Sequence, residues 1–353
     1  MHMADALLAP AVAGVMYVAS GSAAGVSINK IKKDENTTKL PTMAVTAALV
    51  FAGQMINYTI PGTGSSGHIC GGFLLSALLG PAAGFLSMIV ILLIQCLFFA
   101  DGGLMALGAN VWNMGFYGCF VGYYLIFMPL MRSKLSFGLD AKKAERIKII
   151  LASVLGCVIT LQLGAFSVVL ETKASGITEL PFGAFVALMQ PIHLAIGLVE
   201  GLVTSAVLIF VHETRPEMIE GLNDTENAGK KVSAKAVITI LAVCALVIGG
   251  FFSLFASSNP DGLEWTLFGN EEGGYSANLA LDEEDYGVSS SISETAGKIQ
   301  ESTSFLPDYA FTNSESALGT TVSGIVGSAI VAAFVVCLSF IGGFFRKKSK
   351  VKK

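Results

Sequence analysis

Four histidines stand in the 353-residue sequence: His2, His68, His193 and His212. His2 follows directly on Met1, and that adjacency carries a chemistry of its own. The α-amino nitrogen of Met1, the backbone nitrogen of His2 and Nδ1 of the His2 imidazole can close a five-membered and a six-membered chelate ring on one metal ion, with three nitrogens nearly in a plane. A neutral imidazole from His68 can fill the fourth corner, giving an all-nitrogen square that suits Ni(II) or Cu(II) and suits Zn(II) poorly. Ionising a backbone amide needs a strongly Lewis-acidic cation, so such a site must weaken at low pH as protons compete for its ligands. Spacing alone leaves a plainer alternative open. His2 also reads as the second residue of a frayed terminus, and His68 as an ordinary loop histidine closing Gly62-Thr63-Gly64-Ser65-Ser66-Gly67-His68.

Other polar residues fall inside apolar runs. His193, in Gln190-Pro191-Ile192-His193, is followed seven residues later, on the same helical face, by Glu200. Ionisable groups within a membrane are costly and are usually functional or paired, so the two read as a proton or metal relay, or as a structural contact. Asn57, Asn110, Asn113 and Gln162 read as hydrogen-bonding glue between helices, or as support behind a metal ligand. His212 reads as a solvated boundary residue. The six cysteines show no CxxC spacing and read as small buried hydrophobes, with Cys70 held open because it lies two residues from His68. There is no HExxH pair, and Gly229-Lys230 and Gly297-Lys298 lack the first glycine and the hydroxyl residue of a nucleotide-binding loop. The chain is therefore not expected to be an enzyme, and ATP-driven work must come from another polypeptide.

The elements that position these residues follow from composition. With 53% apolar and 14% charged residues, the chain reads as an all-α integral membrane protein, a multi-span helical bundle in the plasma membrane. Apolar runs extend from Ala6 to Ile28, Thr42 to Ile60, Ala82 to Ala100, Val111 to Met131, Ile147 to Leu170, Pro191 to Val211, Ala236 to Ala256 and Val322 to Phe345. A shorter run, Ile69 to Leu79, ends at Gly80-Pro81. Twenty of the 22 basic residues fall in four clusters, after the first run, between Met131 and Ile149, between Arg215 and Lys235, and at the C-terminal end. Cytoplasmic loops are enriched in Lys and Arg. Placing all four clusters inside requires an external N-terminus, a cytoplasmic C-terminus and nine spans, the short run included. That run is expected to be partly irregular where protein shields it from lipid. Residues Met1 to Pro10 lack the basic region of a cleavable signal and carry Asp5, so Met1 is expected to survive.

Three regions result: seven spans over 1–214, a cytoplasmic linker over 215–235, and a two-span hairpin over 236–353. Between the last two spans lies an external segment, 257–321, in which twelve acidic residues face the single Lys298. It reads as a solvated loop or as a device that concentrates cations.

Four stretches carry a resemblance. Met1-His2-Met3-Ala4-Asp5-Ala6-Leu7-Leu8-Ala9-Pro10, Gly67-His68, Ala100-Asp101-Gly102-Gly103-Leu104 through Leu107-Gly108-Ala109-Asn110, and His193 through Gly201 resemble the substrate-binding membrane subunit of nickel and cobalt energy-coupling-factor transporters. The terminal hairpin resembles its small companion subunit, whose signature appears as Pro260-Asp261-Gly262-Leu263-Glu264. The resemblance implies a natural fusion that holds its cation through the Met1 amine, the His2 backbone and side chain, and His68. Ni(II) or Co(II) would be transported substrate, with no permanently bound cofactor. It also implies a transmembrane coupling subunit and two cytoplasmic ATPases as partners, beside the lipid bilayer and without nucleic acid. The chain departs from the commoner opening at Met3-Ala4-Asp5-Ala6. The Ile69-Cys70-Gly71-Gly72 that follows His68 is more similar to the nickel type than to the cobalt type. Nickel is expected, with cobalt uptake for corrin biosynthesis or a proton-coupled transporter using His193 and Glu200 as alternatives.

Overall fold

The computed structural model describes residues 1–33, 40–177, 180–222, 232–271, 273–276, 279, 281, 286–311 and 318–351. The middle of the linker and Glu272, 282–285 and Glu315 of the acidic segment lie outside them. Among the described residues, seven helices are long and apolar enough to cross a membrane. They are α1 (Pro10–Lys33), α4 (Pro81–Phe99), α5 (Leu107–Arg132), α6 (Ala141–Ala174), α7 (Phe182–Thr214), α8 (Ala234–Gly250) and α11 (Leu318–Val351). Two shorter apolar helices join them, α2 (Leu40–Gln54) and α3 (Gly72–Leu79). Helices α9 (Gly262–Phe268) and α10 (Ser291–Thr303) lie between α8 and α11.

Several boundaries differ from the apolar runs. The run from Thr42 to Ile60 stays helical only to Gln54. Tyr58–Ile60 (β1) then pairs antiparallel with Ser65–Gly67 (β2) across a turn in which Gly62 and Gly64 take left-handed φ of 79° and 73°. Apolarity marked burial there, whereas β-branched residues and turn glycines set the backbone. Helix α7 begins at Phe182, well before the expected Pro191, which it carries in its interior. Helix α8 stops at Gly250 and continues only as a 3-10 turn, Phe252–Phe255.

Eight residues of helix rise about 12 Å, well short of a hydrocarbon core of about 30 Å, so α3 alone cannot account for the path between His68 and Gly80. The remainder is irregular, and bilayers tolerate irregular backbone only where protein covers it. Every residue of α3 is buried. Its entry is held by Glu200 of α7, whose carboxylate oxygens accept the N–H groups of Cys70 at 2.7 Å and Gly71 at 2.9 Å. Gly71, at φ 79°, sits against Val50 with no space for a Cβ. The Cys70 carbonyl accepts from Gln54 Nε2 at 2.7 Å. At the far end the Glu220 N–H donates to Ala77 O at 2.8 Å, and Gly80 lies against the Glu220 side chain.

The hairpin α8–α11 packs onto α2 and α4. Gly249 and Gly324 meet backbone to backbone, where a Cβ on either would strike the carbonyl of the other, and Gly327 lies against Phe51. Small residues allow this approach, which dispersion rewards in lipid.

Glu200→Ala leaves two buried N–H groups without acceptors, and hydrogen bonds to charged groups contribute about 1.5–3 kcal/mol each. Thermal unfolding in detergent is expected to rank wild type above Glu200→Gln, and Glu200→Gln above Glu200→Ala. Equal melting of Glu200→Ala and wild type would remove this role.

Candidate metal centre

The N-terminus is folded into the protein. Met1 is 5% exposed and Met3 0%, which rules out fraying. Asn110 of α5 clamps Met3 from both sides, its Oδ1 accepting the Met3 N–H at 2.7 Å and its Nδ2 donating to the Met3 carbonyl at 3.1 Å. Gly103 N–H donates to the same carbonyl at 2.9 Å. The Asp5 carboxylate accepts the Ala106 N–H at 2.9 Å. A Cβ at Gly103 would fall on the Asp5 side chain, which accounts for glycine in Asp101-Gly102-Gly103. Leu7 and Leu8, fully buried, anchor the end of this N-terminal segment.

This clamp brings His2 against His68. Their rings stack with centroids 5.3 Å apart and planes at 26°. His68 Nδ1–H donates to the Ile69 carbonyl at 3.0 Å, so Nε2 carries the lone pair. Burial, reinforced by the nearby terminal ammonium, pushes His2 down to about 3 and His68 down to about 4. Both rings are neutral at pH 7. His2 Nε2 lies 3.3 Å from Gln95 Oε1 and its Nδ1 3.1 Å from Asp101 Oδ1. A neutral imidazole has one N–H for these two oxygens, so His2 donates to only one of them.

The Met1 amine meets a carboxylate from the terminal hairpin, Asp261 Oδ2, at 2.7 Å. Asp261 is the N-cap of α9, with Oδ1 accepting from Leu263 N at 2.8 Å and Glu264 N at 2.9 Å, while Glu264 completes a capping box. Burial alone would raise the Asp261 pKa, but the ammonium holds it far below the carboxylate range. Burial likewise opposes charge on the amine, and Asp261 outweighs it, raising the amine pKa. A chain of amides runs on from His2. Gln95 Nε2 donates to Gln54 Oε1 at 2.9 Å, and Gln54 in turn holds the Cys70 carbonyl, two residues from His68.

Met1, His2 and His68 are thus assembled in one place, with Asn110 directly behind them. Asn113 donates to Glu171 Oε2 at 2.8 Å and lies 3.7 Å from the Met3 sulfur. Asn57 takes no part in this network; its carbonyl accepts the Ser257 N–H at 2.7 Å. Gln162 and Gln190 exchange bonds with each other's carbonyls. His193 donates through Nδ1 to the Met189 carbonyl and packs against Gly262, and among the described residues no hydrogen bond joins it to Glu200. Seven helical residues rise about 10 Å, so a shared face did not mean a shared contact. Sequence reasoning passed over Gln54, Gln95, Asp101, Asp261 and Tyr309. The polar residue within an apolar run marked the two glutamines, and the Asp-Gly-Leu-Glu capping pattern marked Asp261.

A cavity of about 470 Å³ reaches His2, lined also by Asp5, Asp101, Asp261, Glu264 and Asp308. Among the described residues no three His, Cys, Asp or Glu side chains converge as a metal cage.

Residues 2–218 match the CbiM family, the cobalt uptake substrate-specific transmembrane region, and residues 235–342 match the PDGLE domain. A putative fused nickel transport protein of Archaeoglobus fulgidus is 34% identical over 341 residues, covering 96% of this chain and 98% of its own. A cobalt transport protein of Sorangium cellulosum is 32% identical over 184 residues, covering 52% of this chain and 77% of its own. The crystal structure of a truncated transition metal transporter, 29% identical, aligns with a TM-score of 0.51 over 60% of this chain and 99% of that one. The chain therefore belongs to the CbiM family of membrane metal-uptake proteins and carries a PDGLE domain on the same polypeptide.

Proposed function

We propose that this chain is the substrate-capture subunit of an energy-coupling-factor transporter and that it takes up Ni(II) in preference to Co(II). The observation that carries the reading is the burial of Met1 and His2 against His68. The Met1 amine, the ionised His2 amide, His2 Nδ1 and His68 Nε2 supply four nitrogens, a donor set that favours the square-planar geometry of Ni(II). The cation enters from outside through the acidic cavity. Reorientation and release are driven by a transmembrane coupling subunit and two cytoplasmic ATPases, since this chain carries no nucleotide-binding loop. A proton relay through His193 and Glu200 is disfavoured, because the Glu200 carboxylate is committed to the Cys70 and Gly71 N–H groups.

Blocking the terminal amine by acetylation or an N-terminal tag is expected to abolish nickel binding in isothermal titration as fully as His2→Ala or His68→Ala. Undiminished binding by the tagged protein would refute the chelate. Titration of the same protein with Co(II) separates the metals, with weaker binding expected.

The pH profile is a second test. Both imidazoles are already neutral well above pH 4, whereas binding must strip one proton from the ammonium and one from the His2 amide. Between pH 6 and 8 the affinity is expected to rise by about two decades per pH unit. A slope near one would mean that the backbone amide stays protonated and is not a ligand.

A further inference from the structure

Of the three nitrogens that the terminal dipeptide offers a cation, the amine is engaged directly from the segment between α8 and α11, and His2 Nδ1 is reached from it through Asp101. The amine lies on Asp261 Oδ2 at 2.7 Å. His2 Nδ1 faces Asp101 Oδ1 at 3.1 Å, and the other oxygen of Asp101 accepts the Tyr309 hydroxyl at 2.5 Å. Each of the segment's two residues is fixed by contacts that owe nothing to the dipeptide.

Asp261 divides its carboxylate, one oxygen capping α9 and the other facing the amine. The residues around it seat the turn. The Pro260 carbonyl accepts the Ser66 N–H at 2.8 Å, two residues before His68, and Gly262 lies on Ile192, where a Cβ would come within 2.5 Å. At the other end Tyr309 stacks on Phe99 with centroids 4.9 Å apart. Asp308 and Tyr309 take successive φ of 49° and 61°. Left-handed backbone at two non-glycine residues persists only where the surroundings impose it, and such residues gather at switching and ligand-clamping sites.

We propose, resting on the chelate above, that Asp261 and Tyr309 are positioning residues through which the PDGLE segment competes with the cation for the chelating dipeptide. Asp261 holds the amine directly, and Tyr309 acts through Asp101 on the His2 imidazole. A cation that enters the cavity must displace Asp261 from the ammonium, which gives up one proton to the water of the cavity before its nitrogen can close the five-membered ring. When the amine leaves the cation and takes a proton back from water, Asp261 holds it as ammonium, which keeps that ring open and favours release. Tethering the competitor to the same chain keeps its local concentration high at all times.

The test uses the full-length chain in detergent with its native N-terminus. Asp261→Asn retains an N-cap oxygen for α9, but the amide in place of Oδ2 cannot accept from the amine. Tyr309→Phe removes the hydroxyl and keeps the ring on Phe99. Nickel affinity is measured by competition with a chromophoric chelator, together with the absorption spectrum of the bound ion. Asp261→Asn is expected to bind nickel roughly tenfold or more tightly, and Tyr309→Phe about threefold more tightly, with the spectrum unchanged. A residue with a merely structural role would weaken binding when replaced. Unchanged or weaker affinity in a folded Asp261→Asn overturns the inference; if that variant does not fold, the same result in Tyr309→Phe overturns it. Wild-type protein that binds no nickel overturns the chelate itself and this inference with it.

Discussion

A charged chain terminus at a site shielded from water requires a counter-charge, and that requirement organises the site. An ammonium buried without a partner costs several kcal/mol, and Met1 is 5% exposed. Its partner, Asp261, comes from the opposite end of the chain. For the carboxylate to arrive there, the residue before it must pair with Ser66 and the residue after it must lack a side chain against Ile192. The Pro-Asp-Gly-Leu-Glu signature is thus explained position by position. Pro260 supplies a carbonyl to the strand leading to His68, and Asp261 caps α9 while pairing with the amine. Gly262 permits close approach, Leu263 enters the core, and Glu264 closes the capping box.

A second constraint comes from the bilayer, which leaves no lipid-exposed backbone group unpaired. The path from Ile56 to Gly71 is not helical, since it must turn back and present His68 beside His2. Its polar groups are satisfied by side chains from neighbouring spans. Glu200 takes the Cys70 and Gly71 N–H groups, and Gln54 takes the Cys70 carbonyl. Gln54 also receives Gln95, which faces His2. The network that makes irregular backbone tolerable therefore also reaches His2, so the polar residues of the spans cannot be divided cleanly into those that hold backbone and those that face the candidate site.

Much of this was legible from the residues. The apolar runs located the membrane helices, because the transfer cost of charge acts on every residue alike. The pairing of Met1 with His2 was legible because the two are neighbours in the chain, and the structure places His68 against them. What stayed hidden depended on tertiary approach. Twelve acidic residues of one segment carry the same charge, and the signature that includes Asp261, with its capping-box spacing, does not say that its carboxylate meets the Met1 amine. Asp101 appeared within a recognised motif, yet its facing of His2 Nδ1 depends on Gly102 and Gly103 admitting the N-terminal segment. His193 and Glu200 shared a helical face but lie two turns apart and bond to different backbones.

A chelate that uses an ionised backbone nitrogen is tight and exchanges slowly, because the amide must be reprotonated before the metal leaves. A transporter must nonetheless give its cargo up. The amine is the weak point of such a chelate, since its loss opens the five-membered ring and leaves the amide nitrogen in only one of the two fused rings. A carboxylate that binds the amine as ammonium captures that opened state, and Asp261 is placed to do so without moving the imidazoles. The contact it would regain is one that its own helix cap already aims at the amine.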